Sequence, residues 1–330
     1  MKTRIVEVGK DTGNPEHYRE AAEILQSGGT VAFPTETVYG LGADATDPEA
    51  VEAIYAAKGR PADNPLIVHV DSKEMALRYA KDVPADAIRC MDAFWPGPLT
   101  LVLQAKEGAF PENVTAGLPT VGLRMPDHPI ARNLLKQTGR PIAAPSANLS
   151  GKPSPTAAGH VLHDLDGKIP LILDGGPSIL GLESTVLDMT AVPPVILRPG
   201  STTAEMLEEV IGKVRVSGEG KRNVPRSPGV KYTHYAPDAP VYLIEDKSKL
   251  VSLAIDHLHT KGKKVAVLSE TPPEAADYSF PLSPDMLYTS LRMCDETDTD
   301  LILVAITEAH AKDAALMNRL EKAADHKWFS

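Results

Sequence analysis

Cysteine is nearly missing from this 330-residue chain, whose only two, Cys90 and Cys294, stand far apart in helical patterns as small core residues. They cannot build a disulfide framework, neither pairs with histidine at metal-ligand spacing, and their scarcity fits a reducing compartment. Basic charge is also in deficit. Against 34 Lys and Arg stand 44 Asp and Glu, a net charge of −10, so no broad electrostatic grip on nucleic acid is expected. Aromatic residues amount to 5% and do not interleave with basic ones, as single-strand RNA binding would need. No apolar run reaches the length of a membrane span, and residues 1–8 lack the apolar stretch of a signal peptide. The expected location is cytoplasmic, with no membrane partner.

The usual catalytic signatures are missing too. There is no Gly-x-x-x-x-Gly-Lys-Ser/Thr loop; Ser150-Gly-Lys-Pro153 resembles only its tail. No Gly-x-Ser-x-Gly elbow, His-Glu-x-x-His or paired aspartate motif occurs, so no protein side chain is assigned to a metal. Gly40-Leu-Gly42 resembles a relaxed dinucleotide fingerprint. Its strand, however, ends near Pro34 and the next helix starts only at Asp47, so these glycines read as a loop permitting close backbone approach.

What is present is an alternation of short apolar runs and helical patterns. Thr30–Phe33, Leu66–Val70, Leu99–Leu103, Thr120–Arg124, Pro141–Ala144, Leu171–Leu173 and Pro194–Leu197 read as strands. Asp47-Pro48-Glu49 starts a helix that Gly59 ends; Ser154-Pro155 reads as a second start and Thr202 or Thr203 as a third. Several strands lie close enough for antiparallel pairing, so the expectation is an open α/β fold on a mixed sheet spanning residues 1–216. Residues 217–239 are polar and rich in Gly and Pro, a linker. Residues 240–330 alternate strands near 241–244, 264–268 and 301–305 with helices near 248–259, 285–293 and 311–323, a smaller Rossmann-like α/β domain.

The most telling run is Lys58-Gly-Arg-Pro-Ala-Asp-Asn-Pro-Leu66, taken with Ser146-Ala-Asn148. Two cations, a hydroxyl and an amide beside stiffening Pro and Gly residues suit a rigid anion pocket. Other polar loops follow strands: Pro34-Thr-Glu-Thr-Val-Tyr-Gly-Leu-Gly42, Pro145-Ser-Ala-Asn-Leu-Ser-Gly151, Glu183-Ser-Thr185 and Arg198-Pro-Gly200. Two Thr, a Glu and a Tyr exceed what the first turn requires. Arg124, closing its strand, could hold a carboxylate bidentately, whereas His69 alone would be an ordinary core histidine. Together the loops point to an active-site crevice at strand ends.

These motifs, with Phe94-Trp-Pro-Gly-Pro-Leu-Thr and the linker run Ser227-Pro-Gly-Val-Lys-Tyr-Thr-His-Tyr-Ala-Pro237, resemble the YrdC-like family of L-threonylcarbamoyladenylate synthases in its long, two-domain form. The resemblance implies a YrdC-like open twisted mixed sheet and a nucleotidyltransferase reaction. L-Threonine, bicarbonate and ATP, with Mg2+, would give threonylcarbamoyl-AMP and pyrophosphate for N6-threonylcarbamoyl modification of tRNA adenosine. It implies Lys58, Arg60, Ser146 and Asn148 as the catalytic polar set. Arg60, Asn64, Thr120, Asn148, Thr156, Arg198, His234 and Tyr235 would surround ATP; Thr35, His69, Arg124, Ser146 and Ser184 would surround threonine. The stretch Lys231–Tyr235 would close as a lid over a carbamate that decays in water. Transient hand-off to the tRNA threonylcarbamoyltransferase is expected, without stable nucleic-acid binding. Carbamoyltransferases of hydrogenase maturation carry a related domain, but their zinc-finger modules cannot be built from two cysteines.

Overall fold

A computed structural model describes residues 2–8, 14–217 and 235–329. Its chain divides into two units: Met1–Ser150 with Pro155–Lys231, and Gly151–Ser154 with Tyr232–Ser330. In the first, the described strands are β1 (Arg4–Glu7), β2 (Val31–Phe33), β3 (Gly40–Asp44), β4 (Ile67–His69), β5 (Leu99–Gln104), β6 (Thr120–Arg124), β7 (Ile142–Ala143), β8 (Leu171–Asp174), β9 (Thr185–Asp188), β10 (Val195–Arg198) and β11 (Arg215–Val216). They form one sheet in the order β1-β8-β2-β3-β7-β4-β6-β5-β9-β10-β11. β2/β8, β4/β6 and β5/β9 are parallel; β2/β3, β3/β7, β4/β7, β5/β6 and β9/β10 are antiparallel. The sheet is mixed, as expected.

Strand periodicity explains how the layers form, because alternate residues face opposite sides. Ala32, Leu41, Ala43, Val68, Leu101, Leu123, Ala143 and Leu187 join one large core with helices Pro48–Lys58, Lys73–Tyr79, Ala85–Phe94, Ala158–Leu165 and Ala204–Ile211. On the other face, Val31, Phe33, Ile142, Leu171 and Leu173 pack against Glu16–Gln26 and Pro129–Thr138. That second cover reaches only the β8-β2-β3-β7 side. Beyond it, β4, β6, β5, β9 and β10 turn a face bearing Ile67, Val102 and Val186, a small separate apolar cluster, away from both helical cores. Neither helical core of this unit covers that half of the face.

Three expectations change. Gly40 and Gly42 lie in strand β3, not a loop. A Cβ on Gly42 would come within 2.7 Å of Phe33 Cε1 and 2.8 Å of Ile142 Cγ2, so side chains of the neighbouring strands close over it. Ser154 does not start a helix. The Pro155 carbonyl accepts from the Tyr39 amide (2.8 Å) and the Thr156 carbonyl from the Ser178 amide (2.8 Å), and the helix begins only at Ala158. The last helical pattern is two helices, Glu308–Lys312 and Ala314–Ala323, because Asp313 is extended and turns its carboxylate to the Leu316 amide.

The second unit is a parallel sheet of β12 (Val241–Glu245), β13 (Val265–Ser269), β14 (Tyr278–Pro281) and β15 (Leu301–Ile306), ordered β12-β15-β13-β14. Its core gathers Ile244, Ile255, Val267 and Leu303. Strand β14 had no counterpart in the sequence reading. The tetrapeptide Gly151–Ser154 is fixed inside this unit: Arg292 Nη2 donates to the Pro153 carbonyl at 2.6 Å, and the Ala236 amide to the Gly151 carbonyl at 2.9 Å.

Gly42→Ala should destabilise the protein by about 1–3 kcal/mol, because the pleat under Phe33 cannot open without moving two strands. Gly159→Ala is the control: its Cβ position meets nothing within 4 Å inside a helix, so a gain of up to about 1 kcal/mol is expected. Denaturant midpoints of the two variants test the contrast.

Candidate active site

Register locates the site residues along the sheet. His69 pairs with Arg124 and with Ile142, whereas Ser146 pairs with Gly40 four residues further along the same strand direction, a separation of about 13 Å. The backbones that carry the two polar groups are therefore offset along the strands, and side chains reach across that offset: Phe33, at the level of Ser146, brings its ring within 6.2 Å of the His69 ring. The segment 34–39 must fold back over the sheet, since it leaves beside Ser146 yet reaches Arg124. The crevice expected at strand ends is thus corrected: in a mixed sheet the strands share no single carboxyl edge, and loops from both ends contribute.

The first group centres on Lys58. The helix Pro48–Lys58 stops where Gly59 takes the left-handed conformation (φ 60°), and this delivers Lys58 inward at 3% exposure. Its Nζ donates to the carbonyls of Ser146 (2.5 Å) and Asn148 (2.6 Å), with Asn148 Oδ1 at 3.4 Å. Backbone carbonyls thus take the place of water around this ammonium group. Arg60, half-buried, donates to the Asn64 carbonyl at 3.0 Å and lies 5.9 Å above the Tyr55 ring. Burial, partly offset by the Arg60 charge, pushes the Tyr55 phenol up to about 12. Asn64 is wholly buried, and neither its amide nitrogen nor its amide oxygen has a hydrogen-bond partner.

The second group centres on Arg124, 4% exposed. Arg124 donates from Nη1 to Thr37 Oγ1 (3.0 Å) and from Nε to the Gly97 carbonyl (3.4 Å); its Nη2 sits 2.7 Å from Glu36 Oε1. Thr35 Oγ1 contacts Thr37 Oγ1 at 2.8 Å and donates to the Val38 carbonyl at 2.7 Å, which pins the turn bearing Glu36. His69 stands beside Arg124 with Nδ1 unpartnered, its ring edge-on to Phe33. Burial, and then the Arg124 charge, depress His69 to about 3, so its imidazole is neutral.

A third group involves Arg198 and Ser184. Arg198, 4% exposed, donates from Nε to the Ser184 carbonyl (3.1 Å) and from Nη2 to Ser184 Oγ (3.2 Å), which also contacts Thr100 Oγ1 at 2.8 Å. A Cβ on Gly200 would meet the Thr185 amide nitrogen at 2.4 Å, so the Arg-Pro-Gly turn packs directly on this backbone. Thr120 starts β6 half-exposed on the open face; Thr156 is buried with Oγ1 3.4 Å from His160 Nδ1.

The structure thus joins Lys58 with Ser146 and Asn148, Arg60 with Asn64, and Arg198 with Ser184. Tyr235 belongs to the second unit, where it packs on Tyr288 with ring centroids 5.2 Å apart and a positive φ of 66°. His234 and the rest of the expected lid fall at 218–234, outside the described residues. Glu36, Thr37 and Thr100 were missed as site residues. Glu36 and Thr37 stood inside a motif already singled out, but nothing in sequence marks a buried ion pair 88 positions apart. Buried polar atoms are normally satisfied; here, among the described residues, Glu36, Asn64 and His69 all retain unpartnered ones at or beside the half-face.

Comparison with known proteins finds relatives over the whole length of both units. Residues 23–200 match the Sua5_yciO_yrdC family, described as telomere recombination, and residues 202–325 match the threonylcarbamoyl-AMP synthase C-terminal domain. The chain is 47% identical over 325 residues to a Bacillus subtilis protein and 48% identical over 322 residues to one from Pyrococcus abyssi, both named threonylcarbamoyl-AMP synthase, with 94% of each chain covered in both cases. The crystal structure of P. abyssi Sua5 complexed with L-threonine superposes with a TM-score of 0.94 at 45% identity, covering 99% of both chains.

A depressed histidine makes stability depend on pH. Below 6.5 the unfolded chain binds a proton at His69 that the folded chain refuses until about 3. Stability from this group is full above 6.5 and is lost as pH falls through that window. Between pH 7 and pH 4.5, His69→Asn should lose about 2 kcal/mol less than the unmodified chain. Denaturant unfolding at the two pH values measures this; equal losses would remove His69 as the cause.

Proposed function

The chain belongs to the threonylcarbamoyl-AMP synthase family, and from that premise we propose how its half-open face joins L-threonine, bicarbonate and ATP into threonylcarbamoyl-AMP and pyrophosphate. The product supplies N6-threonylcarbamoyladenosine formation in tRNA. The observation that carries the assignment is the set of buried cations, Lys58, Arg124 and Arg198, with unpartnered polar atoms on Glu36, Asn64 and His69, at or beside the half-face that neither helical core of the first unit covers.

Thr35, His69, Arg124, Ser146 and Ser184 bind threonine, with Arg124 taking its carboxylate. Neutral His69 can accept or donate a hydrogen bond without adding a second charge beside Arg124. Arg60, Asn64, Thr120, Asn148, Thr156 and Arg198 bind ATP. Lys58 acts in two ways: it clamps the backbone of Ser146–Asn148 against the Lys58 helix end, and its charge lowers the cost of bringing a carbamate to the α-phosphate. As that bond forms, negative charge moves to the leaving pyrophosphate, and fixed cations in a poorly solvated site are most effective against it. No side chain is placed as a general base, so positioning of the two anions supplies much of the acceleration.

Magnesium enters with the triphosphate. Among the described residues no group of three His, Cys, Asp or Glu could cage an ion, and Mg2+ commonly keeps water and phosphate oxygens as most of its ligands. When bound it would neutralise phosphate charge. Catalysis resides in residues 1–216, with 217–239 as the connection and 240–330 as the smaller domain. A carbamoyl-phosphate anhydride is prone to hydrolysis, which favours direct hand-off to the tRNA threonylcarbamoyltransferase.

Pyrophosphate release should require threonine, bicarbonate and ATP together, and Lys58→Met should slow it by about a hundredfold. Coupled pyrophosphate detection with each substrate omitted in turn tests both statements; release without threonine would sink the assignment.

A further inference from the structure

Glu36 has no place in the assignment above, yet its carboxylate is among the least expected features of the fold. It is 5% exposed, its backbone carbonyl is held by the Leu180 amide at 2.8 Å, and its Oε1 lies 2.7 Å from Arg124 Nη2. The contact joins two charges without an aligned hydrogen bond: among the described residues both carboxylate oxygens and Arg124 Nη2 are left without hydrogen-bond partners. A buried acceptor and a buried donor are therefore both unsatisfied, side by side. Such groups are costly to leave unmade. Arg124 has already directed one Nη1 proton to Thr37 and its Nε proton to Gly97, so the two donors of Nη2, which face Glu36, and the second of Nη1 remain.

We propose that Glu36 binds the α-ammonium group of the amino-acid substrate while Arg124 binds its carboxylate. The buried pair is net neutral, as is a zwitterion. Binding one therefore places a donor on each free acceptor and an acceptor on the free donor without adding net charge to the site. Arg124 alone would accept any small carboxylate. The pair selects an α-amino acid, which is the chemistry a carbamate-forming enzyme needs, since the nitrogen is the atom to be carboxylated. The turn that Thr35 and Thr37 hold supplies the rigidity such a reading requires. This rests on threonine being the substrate and goes beyond that reading by naming the residue that reads its nitrogen.

The test compares L-threonine with (R)-3-hydroxybutanoate, which is threonine without its amino group, in ligand-observed NMR titrations of the full chain. Glu36→Gln should weaken threonine binding by about tenfold to a hundredfold, the worth of a hydrogen bond to a charged group. It should leave the hydroxy acid within about threefold. Glu36→Asp, which keeps the charge on a shorter arm, should show a smaller loss with the same selectivity. ATP affinity, which depends on other residues, should be unchanged in both variants and so reports an intact fold. Equal loss of both ligands would show that Glu36 only orients Arg124 and would overturn the proposal, as would undiminished threonine binding. Failure of the unmodified chain to bind threonine would instead overturn the substrate reading beneath it.

Discussion

Burying cations beside an open face is the constraint on which this molecule turns. Lys58, Arg124 and Arg198 are each at most 4% exposed. Withdrawing an ion from water costs several kcal/mol unless well-placed acceptors replace its hydration. The chain meets that cost with backbone carbonyls as much as with side chains: Ser146 and Asn148 for Lys58, Gly97 for Arg124, Ser184 for Arg198. Carbonyls can be aimed at one point only where the backbone is held in turns. This accounts for the Pro and Gly residues around each cation better than any demand for flexibility.

The same constraint shapes the sheet. A site made of fixed charges must keep them partly desolvated but reachable, and covering both faces with helices would shut it. Helices Glu16–Gln26 and Pro129–Thr138 stop at the β7 side, leaving β4, β6, β5, β9 and β10 with one face uncovered by either core. The mixed strand directions then let loops from both ends contribute. The turn at 34–39 folds over the face to bring Glu36 and Thr37 onto Arg124, linking the two polar groups through a single segment.

Much of this was legible beforehand. Seven apolar runs became strands, Asp47 and Gly59 bounded their helix, and Thr203 capped its own, because caps and periodicity are local properties. The motif residues were identified as polar and constrained, which is also local. Strands β1, β9, β11 and β14 escaped, being short or embedded in polar surroundings, and Gly40–Gly42 was misplaced because glycine in a strand is normally a breaker. Only Phe33 and Ile142, from neighbouring strands, make glycine necessary there.

By itself, then, the sequence determined the α/β class, the acidic and cysteine-poor composition, the family to which its motifs point and the residue types available for anion chemistry. Tertiary structure alone decided which half-face stays open, that Gly151–Ser154 joins the second unit, and that Glu36 meets Arg124. The physical reason is range. Propensity, capping and motif chemistry act over a few residues, whereas a buried ion pair or a close strand crossing arises from positions distant in the chain that only the folded sheet brings into contact.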